Sequence, residues 1–142
     1  MSETSPIPTL LALLTCESVI VDAETQKKTL VGLFDRIQST KVPVQLAGLG
    51  LYAKLVEGSG HYTFKIRMVS LHDESQILEI AAPADWAVAE APLEFVMNFR
   101  GVPVPVFGDY EFQLFADDIY LGRAVFKVDK LELPMPPPAP KG

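Results

Sequence analysis

Few residues in this chain are of types that do chemistry, and their spacing decides what they can do. His61 and His72 flank one apolar-alternating stretch. A strand of that length, at about 3.3 Å per residue, holds them at opposite ends and not as a pair of ligands. There is no cysteine pair and no His-x-x-x-His, so the expectation is that no zinc is bound. Asp109, Asp117 and Asp118 border loops, and calcium sites gather loop carboxylates. Asp109 and Asp118 nevertheless fall at the two ends of one strand, and turn preference accounts for such acids. Ser18, Ser59, Ser70 and Ser75 offer hydroxyls, but no Gly-x-Ser-x-Gly elbow surrounds any of them. Ser59-Gly60-His61 is a turn signature first. No glycine-rich loop precedes a helix, and nothing singles out a carboxylate pair. The expectation is no catalytic residue, no metal and no cofactor.

Two aromatics could stack on a ligand if exposed. Trp86 lies in the longest loop-like segment, and Tyr120 near a hairpin end. Buried, they plug one end of a core, which is the commoner fate of large aromatics. The stretch Val102-Pro103-Val104-Pro105-Val106 is a possible interaction surface. Its valines are costly to leave in water, and its prolines cannot donate to a sheet ladder. It could serve as a closed contact between copies, or fold back as a cover over its own domain. Cys16 is the only cysteine, which excludes an internal disulfide. It fits a small buried hydrophobe.

The elements that position these residues come from alternation. Tyr110, Phe112 and Leu114 alternate with Glu111 and Gln113. Asp117-Asp118 turns the chain, and Ala124, Phe126 and Val128 return it as a β-hairpin. Tyr62, Phe64, Ile66 and Met68 repeat the pattern after the turn Glu57-Gly58-Ser59-Gly60, and Leu49, Leu51, Ala53 and Leu55 precede it. Leu93, Phe95, Met97 and Phe99 make another half-buried strand. Lys65, Arg67, Glu94, Glu111 and Gln113 fall on the faces expected to be solvated. A strand is expected around residues 13–21, with a short helix over 10–14 as the rival. Residues 29–37 suggest one strand, with Gly32 as a bulge or close-approach point. Pro43 marks a crossing between layers. Residues 76–81 suggest a short strand, and 84–90 either a helical turn or a loop.

About eight short strands without a convincing helix predict an all-β fold, an antiparallel sandwich or barrel. The 142 residues suit one domain over 9–131, after a flexible lead-in at 1–8 and before a proline-rich tail at 132–142. The net charge of -6 argues against a general nucleic-acid partner and against docking on anionic lipid. The apolar run at 10–14 is too short for a signal-peptide core or a membrane span, which predicts a cytoplasmic protein.

Two stretches and a hairpin carry a family resemblance. The first runs from Cys16-Glu17 to Val21-Asp22, then Thr29-Leu30-Val31-Gly32-Leu33-Phe34-Asp35-Arg36-Ile37 and Val42-Pro43-Val44. The second is Gly108-Asp109-Tyr110-Glu111-Phe112 with its return strand ending Phe126-Lys127-Val128. With the 58–68 hairpin, they make the chain resemble an uncharacterised bacterial family, a domain of unknown function. The resemblance implies an immunoglobulin-like β-sandwich and no particular activity. The expected role is a non-catalytic binding or assembly module acting through a protein partner or self-association. A carbohydrate-binding or hydrolytic domain using the Trp86 loop is the alternative.

Overall fold

A computed structural model describes residues 5–132. Eleven strands follow in order: β1 (Thr9–Val21), β2 (Lys28–Leu33), β3 (Arg36–Ser39), β4 (Val44–Leu46), β5 (Leu49–Val56), β6 (Gly60–Ser70), β7 (Gln76–Trp86), β8 (Leu93–Phe99), β9 (Val102–Val104), β10 (Gly108–Ala116) and β11 (Ile119–Lys130). There is no helix among the described residues. They form a four-stranded sheet, β2-β1-β5-β8, a five-stranded sheet, β3-β11-β10-β6-β7, and a two-stranded ribbon, β4-β9.

The alternation seen in the sequence builds the core. Leu49, Leu51, Ala53 and Leu55 of β5 face Tyr62, Phe64, Ile66 and Met68 of β6 and Tyr110, Phe112 and Leu114 of β10, all buried. Aromatic contacts join the two layers. Phe95 meets Phe64 edge-on at 4.6 Å between ring centres, and Phe99 stacks on Phe112 at 5.8 Å. Each large side chain so buried stabilises the fold by about 1.5–3 kcal/mol. The Tyr110 hydroxyl donates to the Val106 carbonyl at 2.6 Å and accepts from the Val106 amide at 3.2 Å. That is a tyrosine corner, a mark of immunoglobulin-like sandwiches. The fold is an all-β, immunoglobulin-like sandwich.

Several expectations change. Residues 10–14 belong to β1 and not to a helix. Residues 29–37 split into β2 and β3, which lie in different sheets. The break is Phe34-Asp35, where the chain crosses between layers. Gly32 is a close-approach point as expected. Its φ is +66°, and a Cβ there would lie 2.7 Å from the Glu17 side chain. The sandwich is not wholly antiparallel, because β3 pairs parallel with β11. A parallel pair needs a long connection, and here the intervening sandwich from β4 to β10 supplies it.

The strand begun at Gln76 continues to Trp86, so residues 84–86 are neither helix nor loop. Pro83 is accommodated because β7 is an edge strand, where a missing N–H costs no ladder bond. The lead-in is tied down at Pro6, whose carbonyl accepts the hydrogen bond of the buried Tyr62 hydroxyl at 2.5 Å. Of the tail expected at 132–142, residues 133–142 lie outside the described residues.

Candidate functional site

The aromatics proposed for stacking part company. Trp86 is buried, and its indole N–H donates to the carbonyls of Val88 at 3.1 Å and Ala91 at 3.0 Å. Its ring lies where a Cβ on Gly58 would be, only 2.3 Å away, so the turn and the ring fit as one unit. Trp86 is therefore a plug and no stacking platform, which removes the support for a sugar-binding loop. Tyr120 is 51% exposed but meets Phe115 edge-on at 5.7 Å.

The 102–106 stretch divides by alternation. Val102 and Val104 point into the core, while Pro103 and Pro105 face outward and Val106 is half-buried. As an interaction surface the stretch offers its prolines but not those two valines, which cover the end of their own sandwich. Pro103 sits in the β4-β9 ribbon opposite Gln45.

The candidate catalytic and metal groups are not brought together. His61 pairs with Asp85 at 2.7 Å on the exposed β6-β7 edge, and His72 lies in the following turn. Asp117 accepts from the Thr63 amide at 2.8 Å and Asp118 from Lys65 at 3.0 Å, so both acids are engaged with β6. Among the described residues no group of three or more His, Cys, Asp and Glu could hold a metal ion. Cys16 is fully buried, donates to the Ser18 carbonyl at 3.3 Å, and has its thiol pKa raised by burial.

The faces expected to be wet are networks. Glu111 is buried, accepting from Arg123 at 3.1 Å and Gln113 at 2.6 Å. A carboxylate so placed is tolerated because both oxygens are bonded. Lys65 lies between Glu79 and Asp118, and Arg67 stacks over the Phe115 ring at 5.2 Å.

A concave surface lies elsewhere, where the two sheets meet at β1 and β11. Over residues 9–14, β1 pairs on one side only, with β5. Over residues 119–126, β11 pairs on one side only, with β10. The crossing at Phe34-Asp35 floors the gap between these edges. Phe34 donates its amide to the Thr15 carbonyl at 3.1 Å and accepts from the Thr15 hydroxyl at 2.8 Å. Lys127 donates its amide to the Asp35 carbonyl at 2.9 Å, and the Phe34 ring meets Phe126 edge-on at 6.0 Å. The result is a trough of about 480 Å³. Leu14, Leu33 and Val125 line it while remaining 40%, 61% and 42% exposed. It continues past Asp35 and Val125 into a charged recess of about 550 Å³ with Arg36, Asp109 and Lys127. There Arg36 pairs with Asp129 at 2.9 Å, and Lys127 with Asp109 at 4.0 Å.

Sequence reasoning missed this trough. Leu14, Leu33 and Val125 belong to apolar stretches that look like core. Alternation with Phe126 puts Val125 on an outward face, but the layer crossing at Phe34 that brings Leu33 beside it has no local pattern, since it lacks glycine and proline.

A family model described as a family of unknown function (DUF6941) matches residues 11–129. No curated protein matches. Among solved structures, an immunoglobulin-like protein from Pseudomonas aeruginosa is similar at 16% identity, covering 87% of this chain and 97% of that one, with a TM-score of 0.43.

Proposed function

The chain belongs to this family of unknown function, DUF6941, and from that premise we propose that it is a non-catalytic cytoplasmic module that binds an extended apolar segment of another protein. The observation that carries this reading is the trough between β1 and β11. Stretches of β1 and β11 that pair on one side only border it, and its walls carry exposed Leu14, Leu33 and Val125. An inserted strand takes its affinity from backbone hydrogen bonds to such edges and its specificity from alternate side chains in apolar pockets. Apolar walls suit a protein segment better than a sugar. The acidic net charge of -6 supports a protein partner over nucleic acid or an anionic membrane. No helix among the described residues is long and apolar enough to cross a membrane.

Selection from a displayed peptide library tests the proposal. Selected peptides should alternate apolar residues and perturb the backbone amides of Thr15 and Val125. Leu33→Asp and Val125→Asp should each weaken binding tenfold or more while leaving the exposed sites folded. Failure to select any peptide, or peptides indifferent to both substitutions, would overturn it.

A further inference from the structure

The outer face of the five-stranded sheet carries its charge in columns, one sign to a strand. Its outward positions are those that alternate with the core side chains of each strand. On β7 they hold Glu79 and Asp85, and on β6 Lys65 and Arg67 beside His61. On β10 they hold Asp109 and Glu111, and on β11 Arg123 and Lys127. Asp129 breaks the β11 column but is neutralised by Arg36 at 2.9 Å. Across the strand order β7-β6-β10-β11 the face is therefore acidic, basic, acidic, basic. We propose that this face is the contact between two copies of the chain, related by a two-fold axis that runs along the strands between β6 and β10.

The sign pattern selects that partner. In a two-fold contact one surface must be its own complement. An alternation over four strands reverses sign about its midline. An axis there lays β6 on β10 of the second copy and β7 on its β11, each basic column against an acidic one. Aligned sheets packed face to face keep their strands within about 30° of each other, as this axis requires. The registers fix the facing rows. Glu79, Arg67, Gln113 and Arg123 form one row, so Glu79 meets Arg123 of the second copy. Ala81, Lys65, Phe115 and Tyr120 form the next, so the smallest side chain of that row meets the exposed Tyr120 ring. The face is also ordered in advance. Arg123 and Gln113 lie on Glu111 at 3.1 and 2.6 Å, and Arg67 lies over the Phe115 ring. Groups already held lose little freedom on association. Arg123 remains 60% exposed, with room for a second carboxylate. Five strands at about 4.8 Å, and the nine residues of β10 at about 3.3 Å, make a face of roughly 700 Å² per copy, close to the size of a standard interface.

The full chain tests this. In sedimentation equilibrium most of it should be dimeric at about 100 μM, since interfaces of this size reach micromolar affinity or better. Glu79→Lys sets like charges face to face, and Arg123→Gln keeps a donor for Glu111. Each should raise Kd tenfold or more without shifting core amide resonances. Glu24→Lys, on the exposed β1-β2 turn, makes the same change of net charge as Glu79→Lys and should leave Kd within twofold. An Ala81→Cys/Tyr120→Cys double variant treated with a short bismaleimide should crosslink into a dimer, and neither single variant should. Cys16 is fully buried and does not compete. Three strand spacings of about 4.8 Å keep the two new thiols of one chain apart. A chain that stays monomeric at the stated concentration overturns the proposal. So does a dimer indifferent to both charge substitutions, or one that crosslinks as strongly in either single variant as in the double. None of these residues lines the trough, so failure here and failure of the peptide-binding proposal are distinguishable.

Discussion

Glu94 shows how a residue on an outer sheet face acquires a structural role. The Tyr52 hydroxyl donates to one of its carboxylate oxygens, and the Lys28 ammonium donates to the other at 3.0 Å. The Tyr52 bond, aided by Lys28, holds the Glu94 pKa below its ordinary value although burial opposes it. Burial first, and the bond to Glu94 second, push the Tyr52 pKa up to about 12. The depressed carboxylate contributes stability above its unfolded pKa and loses it as pH falls through the folded one. The raised phenol contributes in full below its unfolded pKa and loses that contribution as pH rises through about 12. Tyr52→Phe should therefore move the Glu94 midpoint, followed by carboxyl NMR, upward toward the ordinary range. At neutral pH it should cost about 1.5 kcal/mol, the low end for a charge-assisted bond because the site is partly exposed. An unmoved midpoint would assign the depression to Lys28. Alternation put Glu94 on an outward face, but its partner depends on the β5-β8 register, which alternation does not fix.

At the scale of elements, the β10-β11 hairpin was legible because a period of two and a turn coincide in sequence. The turn itself departs from the favoured chemistry. Asp117 and Asp118 both have positive φ, 47° and 67°, as a type I′ turn requires, and glycine is preferred at the second position. Asp117 is held by the Thr63 amide. Asp118 offers an exposed ion pair with Lys65, worth little in water. Asp118→Gly should therefore stabilise the fold, by up to about 1 kcal/mol in a denaturant titration, with relief of the left-handed strain exceeding the lost pair. Destabilisation would show that the ion pair outweighs backbone preference. The β2-β3 break was not legible for the opposite reason. Residues 29–37 keep an apolar run through Phe34, and the bonds that divide it come from Thr15 and Lys127, distant in sequence.

For the whole molecule, the sandwich core and the β1-β2 arm are held by different means. The central strands β5, β6 and β10 are buried by side chains from both sheets. Beyond Cys16, where pairing with β5 ends, β1 continues with β2 as an arm whose sides carry exposed Ile20, Val31 and Leu33. Polar bonds tie that arm to β8. The Asn98 side chain accepts from the Val19 amide at 2.9 Å and donates to its carbonyl at 3.0 Å, replacing the strand that β5 no longer supplies. Lys28 adds the bond to Glu94. Regions with few buried apolar contacts open below the global unfolding energy, so the arm should exchange its amide hydrogens sooner than β10. Asn98→Ala removes two bonds of about 0.5–1.5 kcal/mol each. It should accelerate exchange at Val19 and Val31 by roughly five- to a hundredfold, since about 1.4 kcal/mol corresponds to tenfold. Exchange at Tyr110 and Phe112 should stay within about twofold, provided the arm opens by itself. Equal acceleration at both would mean that arm and sandwich unfold as one unit. The Leu33 wall of the trough would then be as rigid as the core. Independent opening would instead let that wall move against β11 to admit a strand.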